Sequence, residues 1–120
     1  MFKSKAIMTA ILVFLSWCKE TGADTFVDVA ISNKRVQCES TAVLIEQSKR
    51  YLLDDNIAVL SQSCGVENKM VAFVCGSPMN QIHIFKIKEK DLLKAQEKGF
   101  VLVSNMPDGY KYVDCDSLNK

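Results

Sequence analysis

Of the five cysteines in this 120-residue chain, the four that lie beyond its first 23 residues, Cys38, Cys64, Cys75 and Cys115, constrain it more than any other feature. An even cysteine count in a short exported chain reads as two disulfides, so any fold must bring the four together in pairs. Zinc binding is the rival use. Zinc sites usually carry close ligand pairs such as C-x-x-C, whereas successive gaps here are 26, 11 and 40 residues and His83 is the only histidine. Each bridge should stabilise the fold by roughly 2–4 kcal/mol, chiefly through the unfolded chain. That matters in a domain whose core is small.

The oxidised reading rests on export, and the first residues carry the pattern for it. Lys3 and Lys5 precede an apolar run from Ala6 to Trp17, and a short polar stretch from Cys18 to Ala23 follows. A membrane-crossing helix needs roughly 20 apolar residues, so the run is too short to span but suits the core of a signal peptide. Thr21-Gly22-Ala23 offers small residues for cleavage, which sets the boundaries at 1–23 for the signal peptide and 24–120 for one mature domain. A minority alternative is lipidation of Cys18. Leu15-Ser16-Trp17-Cys18 has the outline of a lipoprotein box, but Trp17 stands where a small residue belongs. The mature chain has no second apolar run of spanning length, so stable membrane insertion is not expected.

Removing the first 23 residues leaves 97, the size of a single domain. Lys3, Lys5, Lys19 and Glu20 leave with the signal, so 12 basic residues face 13 acidic ones. A net charge near zero supplies no electrostatic drive toward nucleic acid or anionic lipid.

Hydrophobic periodicity gives the elements. Thr25–Ile31 alternates like a strand. From about Glu39 to Leu53 the apolar positions switch to helical spacing, with Leu44, Ile45, Tyr51 and Leu52 on one stripe. Ile57–Ser63 fits either a helical stripe closed by Gly65 or a buried strand. A strand is favoured because the next segment needs a partner. Met70–Cys75 is an apolar strand, Gly76–Asn80 a five-residue turn, and Gln81–Lys88 the second half of the hairpin. Glu89–Lys98 is a short helix, with Gly99 placed for a left-handed helix end. Phe100–Val103 and Tyr110–Val113 complete the strands, separated by a turn at 105–109. The order βαβββαββ implies an α+β two-layer sandwich, a mostly antiparallel sheet with two helices on one face.

If every element reverses direction, Cys64 ends beside Cys38, and Cys115 arrives beside Cys75. The expected bridges are therefore Cys38–Cys64 and Cys75–Cys115. A Cys64–Cys75 bridge would have to span a strand of about 20 Å, against a Cα limit of about 7 Å.

Chemistry is sparse. His83 lies between Ile82 and Ile84 and faces the same side as Phe85 and Ile87, the setting of a sheet histidine rather than of a base. Asp54-Asp55 reads as a helix stop, and Asp114 and Asp116 flank Cys115 on an exposed end. No catalytic residue, cofactor site or metal site emerges. Met79 and Asn80, at the supposed hairpin tip, and Tyr110 and Tyr112, alternating on the last strand, are the candidate contacts for a partner. The leading expectation is a secreted or periplasmic, non-enzymatic protein-binding module: an inhibitor, an immunity or exclusion factor, or an envelope accessory. The alternatives are a small enzyme or toxin built on scattered carboxylates with His83, and a small-ligand carrier. Fold alone does not decide among them.

Overall fold

A computed structural model describes residues 25–39 and 41–118; the signal peptide, its cleavage site and Cys18 lie outside the described residues. The chain is mixed α+β, with a curled antiparallel sheet of five strands. The strands are β1 (Phe26–Ser32), β2 (Ser61–Glu67), β3 (Gln81–Lys88), β4 (Val101–Leu102) and β5 (Tyr110–Val113). Three helices join them: α1 (Ile45–Leu53), α2 (Leu92–Glu97, entered through a 3-10 turn at Glu89–Asp91) and α3 (Cys115–Leu118). The spatial order is β4-β1-β3-β2-β5.

β3 is the centre. Its sequence QIHIFKIK puts apolar residues on both faces, and it pairs with β1 along Phe26↔Lys88 to Ser32↔Ile82 and with β2 along Ser61↔Lys86 to Val66↔Gln81. Side chains alternate across a strand, so two cores form on opposite faces. On one face Val29, Phe85 and Ile87 pack with Leu52, Ile57, Ala95 and Phe100 from the helices and their exits. On the other, Ala30, Ile82 and Ile84 pack beneath Val103, Met106 and Tyr110. The connection from β4 to β5 joins opposite edges of the sheet and supplies that second cover.

Both longer helices end the same way. After α2, Gly99 is left-handed (φ 98°), its N–H reaches Gln96, and the Phe100 N–H reaches Ala95. After α1, Asn56 is left-handed (φ 58°), its N–H reaches Leu53, and the Ile57 N–H reaches Leu52. This closure turns the chain sharply and drives the following apolar residue into the core. Ile57 and Phe100 are each 1% exposed.

Four expectations need correction. The first helix begins at Ile45, not near Glu39, because residues 33–38 continue beside 75–81 and the Val43 N–H is held by the Asn33 carbonyl. The strand expected at Ile57–Ser63 lies at Ser61–Glu67, displaced by the Ile57 turn. Met70–Cys75 is not a strand, so the sheet has one strand fewer than the order βαβββαββ, and a third helix follows Cys115.

The bridges are Cys38–Cys75 and Cys64–Cys115, each with Cα atoms 5.1 Å apart, not Cys38–Cys64 and Cys75–Cys115. The reason is the shift of β2. Cys64 sits within that strand opposite Val113 of β5, two residues before Cys115, while Cys38 and Cys75 meet at the end of an arm beyond β1 and β3.

Candidate functional site

The arm is built from Asn33. Its side chain is buried, with Nδ2–H donating to Gln81 Oε1 (2.8 Å), and its Oδ1 accepts from the Arg35 N–H (3.1 Å). Its backbone N–H donates to the Gln81 carbonyl. Pairing of the two segments thus persists past the end of the sheet. The Met79 N–H donates to the Arg35 carbonyl, the Gln37 N–H to the Ser77 carbonyl, and the Gly76 N–H to the Gln37 carbonyl. Val36 stands opposite Pro78, where the missing proline N–H leaves no gap in the pattern. The Cys38–Cys75 bridge closes the arm.

Between the end of β2 and Cys75 runs Asn68–Val74. Its start is fixed by the Asn68 N–H donating to the Gly109 carbonyl (2.9 Å), and just before it the Glu67 N–H donates to the Asn80 carbonyl (2.9 Å). Its far end is fixed by the disulfide. Among the described residues, no backbone group of Met70–Phe73 hydrogen-bonds to another, and the segment makes no turn. Met70 is 99% exposed, Phe73 91% and Val74 62%. Ala72 is also exposed, and Val71 is half-buried. Scattered exposed apolar residues, such as Leu93 here, are ordinary on protein surfaces, but a contiguous apolar run is not. Burying a phenylalanine or methionine side chain stabilises by about 1.5–3 kcal/mol, which this segment forgoes in the isolated chain.

Met79 and Asn80 lie beside this segment, not at a free tip. Met79 is half-buried with its N–H on Arg35, and Asn80 Nδ2–H donates to the Glu67 carbonyl (2.9 Å). Met79 thus pairs within the arm, and Asn80 anchors the arm to the end of β2. Tyr110 and Tyr112 do share a face of β5. The Tyr110 hydroxyl donates to that of Tyr112 at 3.1 Å, with the rings edge to face. This hydrogen bond, together with partial burial and the fields of Tyr112 and Asp28, pushes the Tyr110 phenol up to about 12. Tyr110 also covers the Ala30–Ile82–Ile84 core, so Tyr112 is the more accessible ring of the two.

His83 points toward the helices as its register requires, opposite Ile31 on one side and Cys64 on the other. Its Nδ1 lies 2.7 Å from Ser48 Oγ of α1, and the two residues are 3% and 1% exposed. Burial holds the imidazole below its ordinary value, partly offset by the nearby Glu46 carboxylate. Neither side chain of this serine–histidine pair is open to solvent. Asp114 does not form an open cation site with Asp116: its Oδ1 accepts the Asp116 N–H as α3 begins, and its carbonyl accepts from Ser117. Among the described residues, no three of His, Cys, Asp and Glu gather as a metal site.

An open groove of about 520 Å³ lies between the β4–β5 connection and the end of α2, bordered by Phe100, Leu102, Met106 and Gln96. Small-molecule sites bury most of their ligand, and this groove opens broadly to solvent.

Sequence reasoning missed the exposed segment because it assigned Met70–Cys75 to the sheet. The signal was there in five consecutive apolar residues, but nothing in the sequence tells whether a strand-forming run finds a partner strand. In comparisons with known proteins, no family model, no curated protein and no solved structure matches this chain.

Proposed function

We propose that the chain is an exported, non-enzymatic protein-binding module, of the inhibitor, immunity or envelope-accessory kind, which engages its partner through Met70–Val74. The observation that carries this reading is a contiguous apolar segment, exposed except at the half-buried Val71 and without backbone pairing over Met70–Phe73 among the described residues, fixed at one end by a disulfide and at the other by the sheet. Such anchoring lowers the ordering cost of binding, and apolar anchors displayed on loops are where interface energy concentrates. The burial of His83 and Ser48 supports a binding role over catalysis. Two disulfides, and the absence among the described residues of any helix long and apolar enough to cross a membrane, fit a secreted or periplasmic setting. The signal peptide at 1–23 belongs to the same proposal.

The test is site-specific cross-linking in the exporting host. A photo-reactive phenylalanine analogue placed at Phe73 should give a discrete protein adduct, while the same analogue at Leu93, exposed but isolated, should not. Identical adduct patterns from the two positions, or none from Phe73, would contradict the reading.

A further inference from the structure

We propose that the partner of Met70–Val74, in the binding role argued above, is a second copy of this chain. The segment of each copy adds as an antiparallel strand to the open edge of β5 in the other, which closes a two-fold dimer.

Both halves of such an interface are present in one chain. Val71, Phe73 and Val74 are β-branched or aromatic, the types that suit a pleated, half-covered surface. Yet among the described residues Met70–Phe73 has no backbone partner. At the rim of the sheet, β5 has β2 on one side and no strand on the other. An open edge is a template for pairing unless it is covered, broken or heavily charged, and β5, with the sequence YKYV, carries a single charge. The opposite edge, β4, is two residues long and runs straight into a 3-10 turn, so it offers half the ladder.

The register follows from the bonds already made. The Asn68 N–H holds the Gly109 carbonyl, so alternation along β5 turns the backbone groups of Lys111 and Val113 toward β2 and those of Tyr110 and Tyr112 outward. The four unpaired residues Met70–Phe73 then match the four of β5, with Phe73 opposite Tyr110 and Val71 opposite Tyr112. An aromatic pair and an aromatic–β-branched pair on one face are the combinations that stabilise neighbouring strands. The same register sets Lys69, which sits 3.6 Å from Glu67 in the single chain, opposite the exposed Asp114. A basic residue beside the segment thus meets an acidic one beside the edge.

Within one chain this pairing is closed off. The segment leaves from β2, on the inner side of β5, and Cys75 ties its far end to Cys38 beyond β1 and β3. Between two copies it is made twice, because a two-fold axis exchanges segment and edge. Phe73 and Tyr112 are 91% and 63% exposed, and an aromatic side chain buries roughly 150–250 Å². Two of each, with both Met70 side chains and the ladder itself, reach the roughly 1,000 Å² that a specific interface needs.

Sedimentation equilibrium of the oxidised chain from an exporting host, run from micromolar to millimolar concentration, should show a reversible monomer–dimer equilibrium with no larger species. Phe73→Gly should weaken it by roughly 30-fold or more, the scale of an interface anchor, while Leu93→Gly leaves it unchanged. Lys69→Glu and Asp114→Lys should each weaken it by about 3- to 10-fold. Mixing the two variants should restore association as a heterodimer, since both cross-strand pairs are then of opposite charge, and restoration shows that both variants fold. The photo-reactive analogue at Phe73 should give an adduct of twice the chain's mass, joined within Tyr110–Val113. A chain monomeric throughout, a dimer indifferent to Phe73→Gly, or charge swaps that mixing does not restore overturns the proposal. If the analogue captures a different protein while the chain stays monomeric, only the second copy falls; if it captures nothing, the binding role falls with it.

Discussion

Ser48 Oγ and His83 Nδ1 stand 2.7 Å apart, joining α1 to the middle strand of the sheet with both residues sealed from solvent. Because burial lowers the imidazole below 6.5 in the folded chain, the unfolded chain binds a proton that the folded chain refuses. Stability is therefore fully present above pH 6.5, declines as the pH falls through that value, and levels off below the folded value. Urea midpoints measured from pH 7.5 to 5.5 should fall in the native chain and stay nearly level in His83→Gln. A flat native profile would contradict this. Ser48→Ala, which strips the imidazole of its partner, should destabilise by about 1–3 kcal/mol at neutral pH.

The two disulfides should behave differently because Cys38 and Cys75 are exposed whereas Cys64 is buried at 1%. Limited reduction should open Cys38–Cys75 first, and the order of alkylation shows it by peptide mapping. Removing Cys64–Cys115 as a double alanine variant should cost roughly 2–5 kcal/mol of global stability. Removing Cys38–Cys75 should cost less, since it staples an arm outside both cores, and should chiefly raise proteolysis within residues 68–80. Equal losses from the two variants would contradict the division.

Gly65 is required by close approach, not by its backbone angle. A Cβ added there would lie 2.8 Å from the Lys111 carbonyl oxygen of β5 and 3.1 Å from Ile84 Cδ1. The carbonyl belongs to a paired strand and cannot swing aside. Gly65→Ala should therefore destabilise by about 1–3 kcal/mol, the range for overpacking, and loosen the β2–β5 pairing. Thermal unfolding with amide exchange of Tyr110–Val113 measures both, and an unchanged midpoint would count against the curled edge.

The sequence is most readable where local chemistry and tertiary pairing agree. Gln81–Lys88 and Tyr110–Val113 are rich in β-branched and aromatic residues, they find two neighbours and a single edge respectively, and their boundaries fall where the sequence puts them. Gly99 ends its helix in the left-handed conformation that its position suggests. Ser61–Glu67 shows the opposite case. SQSCGVE has little apolar alternation, and it is a strand because β3 and β5 bond it from both sides. Met70–Cys75 has the intrinsic propensity without the neighbours. That one exchange moved Cys64 from a strand end to a strand interior and so reversed the bridge pairing. It also hid the candidate site, of which Met79 and Asn80 mark only the anchoring side.

Amide hydrogen exchange on the isolated oxidised chain, diluted until monomeric, tests the central claim most directly, namely that Met70–Phe73 is a strand-forming segment without a backbone partner among the described residues. The account predicts that the amides of Met70 to Phe73 exchange near the rates of unstructured peptide while those of Ile82 to Ile87 are strongly protected. Protection of Met70–Phe73 comparable to that of β3 would mean that the segment is paired within the chain, and the proposed binding surface would not exist.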